Sequence, residues 1–253
     1  MGKRVISRKK TYEYGNYKEI EIFPVYSGTH KKIREPKTNM SRKVQKELNK
    51  RNRIKKIFRL LHGNFIHKDY FVTLTYSDKF VPKTIEQAQE DYKKFMGKLR
   101  KLYKIKGITL KYMAWVETGV EKGRIHHHLV ITGGVSREQI EDAFQKGFCN
   151  VSRLNFAQDD LLGLAKYFAK DPKGKRTFTC SKNLDRNCLI AKNTEDNKTS
   201  KALISKMIEN KDDKSLYEKL YPGYELVKCE TPINEYTRAV SISFILRKKC
   251  CYE

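Results

Sequence analysis

The segment "TLKYMAWVETGVEKGRIHHHLVIT", residues 109–132, decides how this chain of 253 residues is read. Its opening, "TLKYMAWVE", is aromatic and β-branched, the composition of a strand. "TGVEKG" is a polar, glycine-containing connection, and "RIHHHLVI" is a second apolar strand interrupted by three of the six histidines in the protein. The pair predicts a hairpin. Side chains alternate across a strand, so Arg124, His126, His128, Val130 and Thr132 share one face and Ile125, His127, Leu129 and Ile131 share the other. The second set is mostly apolar and is predicted to pack on a core, with His127 a partly buried structural residue. The first set looks away from that core.

Outward from the hairpin, "DYFVTLTY" (69–76) reads as a buried strand ending at the turn signal Ser77-Asp78. Thr84 and Gln87 form a capping-box pattern. The stripe Ile85, Ala88, Tyr92, Phe95, Met96, Leu99 and Leu102 then predicts a long amphipathic helix up to Gly107. Ser136 and Gln139 open a second helix, with Ile140, Ala143 and Phe144 buried and Gly147 as its stop, and "FCNVSRL" follows as a fourth strand. The order strand, helix, strand, strand, helix, strand predicts an α+β fold: a ferredoxin- or RRM-like βαββαβ antiparallel sheet with helices on one face.

The expected organisation is a basic N-terminal extension with a helix (1–65), the core (66–190), and a C-terminal extension (191–253) packed on the core. Ser41 is the expected cap of the N-terminal helix. A helix is expected near 203–220 and a late strand in "RAVSISFILRK", whereas 180–200 is polar and loop-like. "DDLLGLAKYFAK" predicts a further helix capped by Asp159 or Asp160.

Fifty-four Lys and Arg against 29 Asp and Glu give a formal net charge of +25, a surface that attracts polyanions, nucleic acid first among them. The helix at 41–63 concentrates this charge: Arg42, Lys43, Lys46, Lys50, Arg51, Arg53, Lys55, Lys56 and Arg59 face only Glu47, which points to a phosphate-binding surface. No run approaches the roughly 18 apolar residues of a membrane span. The N-terminus "MGKRVISRKK" has no secretory apolar stretch. Six cysteines without a CxxC then read as reduced thiols, and a cytoplasmic location, in a bacterial host or its equivalent, is expected.

Two imidazoles at i and i+2 suit one transition-type cation, and a third anchor is commonly a carboxylate. Glu117 ends the preceding strand, and the hairpin brings it roughly opposite His126. Two histidines and one carboxylate with open coordination positions make a catalytic rather than a closed structural arrangement. On the helix "LLGLAKYFAK", Leu161, Leu164, Ala165 and Phe168 form one stripe, and Gly163, Tyr167 and Lys170 line another. A phenol has a pKa of about 10 and needs a nearby cation to become a nucleophile.

In order, "FVTLTY" (71–76), "RIHHHLVI" (124–131) and "YFAK" (167–170) resemble the three motifs of the HUH endonucleases, and the chain is similar to the rolling-circle replication initiators of plasmids and small single-stranded DNA phages. The resemblance implies a divalent metal, Mg²⁺ or Mn²⁺, on Glu117, His126 and His128. It also implies that Tyr167 is the nucleophile and Lys170 the lysine of the motif. The middle motif position, ordinarily bulky and hydrophobic, is His127 here. That leaves the choice of two ligands among three histidines open, with strand parity favouring His126 and His128. Gly163 stands where many relatives carry a second tyrosine, so a single-tyrosine enzyme is implied. The implied partner is a single-stranded DNA origin, contacted through Arg42, Lys46, Lys50, Arg53, Lys56, Thr73, Thr75 and Arg124, with Phe71, Tyr76 and Trp115 as nearby aromatics. In the absence of a P-loop, a separate host helicase and polymerase are expected. Two other readings remain: a transposase or relaxase of the same chemistry, and a non-enzymatic nucleic-acid-binding protein on an RRM-like sheet.

Overall fold

The alternation in "YFVTLTY" produces the burial it predicts: Tyr70, Val72, Leu74 and Tyr76 are buried, while Phe71, Thr73 and Thr75 are only partly so. The structure, a computed structural model, describes residues 5–26, 42–118, 125–156, 161–169, 178–234 and 238–249. In chain order the strands are β1 (Val5–Tyr14), β2 (Tyr17–Tyr26), β3 (Tyr70–Tyr76), β4 (Tyr112–Thr118), β5 (Ile125–Ile131), β6 (Gly147–Arg153), β7 (Phe178–Cys180), β8 (Asn193–Asp196), β9 (Tyr224–Glu230) and β10 (Ile242–Lys248). The helices are α1 (Arg42–Asn64), α2 (Ile85–Ile105), α3 (Arg137–Ala143), α4 (Leu162–Phe168), α5 (Lys201–Glu209) and α6 (Lys214–Leu220). Together they make a mixed α+β protein with two antiparallel five-stranded sheets. One unit comprises Glu47–Asp185, and the other joins Met1–Lys46 to Arg186–Glu253.

The unit Glu47–Asp185 holds the sheet β6-β3-β5-β4-β7. Leu74, Leu129 and Ile131 meet Phe95, Met96 and Leu99 of α2 and Ile140 of α3 in its core. Each such side chain is worth roughly 1.5–3 kcal/mol when buried. Both helices start as the sequence predicts: Thr84 accepts from the Gln87 amide, and Ser136 and Gln139 close a full capping box. Buried Asp69, just before β3, accepts from the amides of Ile66 and Gly133 at 2.8 and 2.7 Å, tying the start of β3 to the end of β5.

The expectation of helices on one face only is corrected by α4. This helix lies against Trp115, on the face opposite α2 and α3, with Phe168 packed on both Trp115 and Phe178. Apolar Trp115 and Phe178 sit side by side on β4 and β7 and need that cover. Helix α4 begins after Leu161, whose φ is 61°, and the expected caps Asp159 and Asp160 lie outside the described residues. The expected cap Ser41 also lies outside them.

In the other unit the two terminal segments, read separately from the sequence, share the sheet β8-β1-β2-β10-β9. β1 and β2 form a hairpin closed by Tyr14 and Tyr17 across a two-residue turn, in which Gly15 takes φ 52°. Ile20 and Ile22 pair with Phe244 and Ile242 of β10, and this apolar patch is buried with Met207, Leu216 and Tyr217 of α5 and α6. The single helix expected near 203–220 is two helices. The second is capped by Asp213, whose carboxylate accepts from the Ser215 amide at 2.9 Å. Among the described residues no helix is long and apolar enough to cross a membrane.

Two predictions follow from the core. His127 is fully buried beside Tyr76 and parallel to the ring of Tyr92. Burial, aided by His128, lowers its pKa from 6.5 to about 4, against the opposing pull of Asp91. Between those values the unfolded chain binds more protons than the folded one, so stability falls as pH drops from about 6.5 toward 4, by up to about 1.4 kcal/mol per pH unit. Urea titrations across that range will show a flatter decline in His127→Leu, because Leu has no proton to bind and Tyr76 retains the Ala88 carbonyl as acceptor.

Gly147 begins β6 with φ 156°, and a Cβ there would meet the Thr75 carbonyl oxygen at 2.2 Å and the Ser77 amide nitrogen at 2.5 Å. Gly147→Ala is expected to lose at least about 2 kcal/mol in the same titration at pH 7.

Candidate active site

Strand register assembles the site. β5 lies between β3 and β4, with His126 opposite Thr75 and Glu117, and His128 opposite Thr73 and Trp115. The imidazoles are therefore neighbours on the face away from α2, their centroids 6.3 Å apart. His127 points into the core, as strand parity predicts.

Each of the two outward rings is held through Nδ1. Thr73 Oγ1 lies 3.2 Å from His128 Nδ1, and Thr75 Oγ1 lies 3.1 Å from His126 Nδ1. With Nδ1 engaged, Nε2 is the nitrogen turned toward any bound cation. The sequence reading assigned the two threonines to nucleic acid, whereas the structure places them beneath the histidines. Alternation in two paired strands carries the signal, but only once the pairing register is known.

His128 is also boxed in. Trp115 stacks on it at 4.6 Å and 21°, and Phe71 lies parallel at 6.0 Å and 14°. Both aromatics thus serve the site as walls, while Tyr76 points the other way and is buried. Two further groups converge on His128 Nε2: the Glu117 carboxylate at 3.4 Å and the Tyr167 hydroxyl at 3.1 Å. Glu117 sits in register with His126 but reaches diagonally to His128, a normal reach for a long side chain across a sheet.

Tyr167 is aimed by its helix. Buried Ala165 and Phe168 fix the inner stripe of α4, and Phe168 rests on Trp115. The Tyr167 ring then stands edge-on to both Trp115 and His128, at 4.9 and 5.3 Å between centroids. Gly163, one turn earlier, is exposed.

Two imidazoles, a carboxylate and a phenol on one patch have the donor types that suit a divalent cation with exchangeable positions. Among the described residues no three His, Cys, Asp or Glu side chains converge into a ready-made cation cage. The donor set fits a metal in kind, and the Glu117–His128 pair is already drawn together. Lys170 and Arg124 lie outside the described residues. Of the expected phosphate contacts on α1, Lys46, Lys50, Arg53 and Lys56 are exposed, and Arg42 opens the helix.

An antiparallel sheet thus carries a histidine pair, a carboxylate and a helix-borne tyrosine on one face. The likeness to known proteins is confined to part of the chain. Residues 69–172 match the model of Replication-associated protein ORF2/G2P, a rolling-circle replication initiator family. The matched span contains every residue of the cluster, and over it the initiator resemblance read from the three motifs is borne out. No curated protein and no solved structure matches the chain significantly.

Trp115 supports His128, Tyr167 and Phe168 at once while being almost fully buried. Trp115→Ala is expected to cost about 3–5 kcal/mol in urea unfolding, the range for losing a buried indole.

Proposed function

We propose that the protein nicks and rejoins single-stranded DNA at an origin through a 5′-phosphotyrosine intermediate and so initiates rolling-circle replication. The observation that carries this reading is the Tyr167 hydroxyl 3.1 Å from His128 Nε2, on the face where Glu117 and His126 also lie. The sheet order β6-β3-β5-β4, with α2 and α3 on one side, supports reading this unit as a ferredoxin-like core of HUH type.

Glu117, His126 and His128 would hold the cation, Mg²⁺ or Mn²⁺. Such an ion polarises the scissile phosphate and favours the phenolate of a nearby tyrosine. Thr73 and Thr75 keep Nε2 of each histidine in the ligating role, and Trp115 and Phe71 keep the His128 ring from turning. Tyr167 gives up its phenolic proton to solvent water, and its oxygen bonds to phosphorus while the bond to the 3′ oxygen breaks. The leaving 3′ oxygen takes up a proton and becomes the 3′-OH that primes synthesis. Lys170 is assigned to neutralising charge near the phosphate. The exposed basic residues of α1 are assigned to the DNA backbone, with binding that weakens as salt rises. A host helicase and polymerase complete the scheme.

The test incubates the protein with labelled single-stranded oligonucleotides from its own replicon and Mn²⁺, then looks for an SDS-resistant protein–DNA adduct. Native protein forms it; Tyr167→Phe, the double variant His126→Ala with His128→Ala, and native protein in excess chelator do not. Thr73→Val and Thr75→Val each slow adduct formation about 10- to 100-fold, the usual effect of removing a partner that orients a metal-binding histidine. An adduct that persists in Tyr167→Phe would sink the nucleophile assignment. DNA binding with no adduct under any condition would favour the non-enzymatic RRM-like reading, and cleavage confined to transposon or transfer-origin ends would favour the transposase or relaxase reading.

A further inference from the structure

Strand β6 is the edge of the sheet beside β3. On the face that carries the histidine pair it presents Phe148, Asn150 and Ser152, in register with Thr75, Thr73 and Phe71. Phe148 is 72% exposed, the most exposed aromatic ring among the described residues. Asn150 and Ser152, next along the same face, are exposed as well. A single exposed apolar residue is ordinary on a protein surface. This one, however, is fixed in a particular place. The contact of Gly147 with the β3 backbone pins the start of β6, and Thr75, directly opposite Phe148, is the residue that holds His126. Two strand spacings, about 10 Å, separate Phe148 from His126.

We infer that Phe148 is a base-stacking platform for single-stranded DNA running across β6 and β3 to the histidine site. An aromatic ring standing on an open sheet face stacks bases of any sequence. Asn150 and Ser152 supply hydrogen-bonding groups beside it, suited to base edges and sugars. The formal charge of +25 over the whole chain favours a polyanion as the occupant and opposes a second copy of the same chain. With at least about 3.4 Å per nucleotide, the stacked base lies within about three nucleotides of a phosphate at His126. The inference rests on the proposed handling of single-stranded DNA by this face, but not on the nicking chemistry.

The experiment therefore uses the full chain carrying Tyr167→Phe, in which DNA cannot be trapped covalently, and measures fluorescence anisotropy of a labelled mixed-sequence single-stranded oligonucleotide. Adding Phe148→Ala weakens binding about 5- to 150-fold, the range for losing one stacked base, while Phe148→Trp holds or tightens it. Thermal unfolding of Phe148→Ala matches the parent, because the ring is already in water. Unchanged affinity in Phe148→Ala would overturn the inference, and so would a change confined to self-association in sedimentation, which would show the ring to be covered by a second copy. A native protein that forms no tyrosine adduct, yet loses affinity through Phe148→Ala, would leave the stacking platform standing and remove the nicking reading.

Discussion

The site depends on the register of one strand. β5 pairs with β3 and β4 so that Thr73 and Trp115 flank His128 while Thr75 and Glu117 flank His126. A slip of one residue would turn both histidines into the core and bring His127 out, because side chains repeat every two positions. The opposite face prevents the slip. Leu129 and Ile131 are fully buried against α2 and α3, His127 is held by Tyr76 and Tyr92, and Asp69 ties the strand ends together. The side chains gathered on one face are thus positioned by packing on the other.

That arrangement also explains why His127 is tolerated where a bulky apolar side chain would serve. Its Nε2 lies 3.1 Å from the Tyr76 hydroxyl, and its ring lies flat against Tyr92. Burial keeps it neutral near pH 7, so it adds no charge beneath the two outward imidazoles. Three consecutive histidines therefore occupy two electrostatic environments.

Much of the unit Glu47–Asp185 was legible in the sequence because its signals are local. Capping boxes mark where α2 and α3 start, alternation separates His127 from its neighbours, and a short hairpin connection predicts where Glu117 falls. What escaped is what depends on distant pairing. The work of Thr73 and Thr75 appears only when β3 is set beside β5, and the place of α4 depends on β7, a three-residue strand too short to announce itself. In the other unit, charges at Arg8, Lys9, Lys10 and Glu13 mask the strand pattern of β1, and the apolar stripe of β2 finds its partner only in β10. Lys170 and Arg124, named from their positions in the motifs, lie outside the described residues.

The interleaving of the two units has a consequence for how the protein is made. β2 pairs with a strand that leaves the ribosome more than 200 residues later, whereas β3 through β7 find all their partners within the intervening stretch. Loop closure over such a distance is slow, and domains complete themselves as their chain emerges. The histidine–tyrosine unit is then the first to finish during synthesis. The hairpin of β1 and β2 waits with its Ile20 and Ile22 edge unpaired until β10 arrives, so termination before β10 would leave that edge open to aggregation.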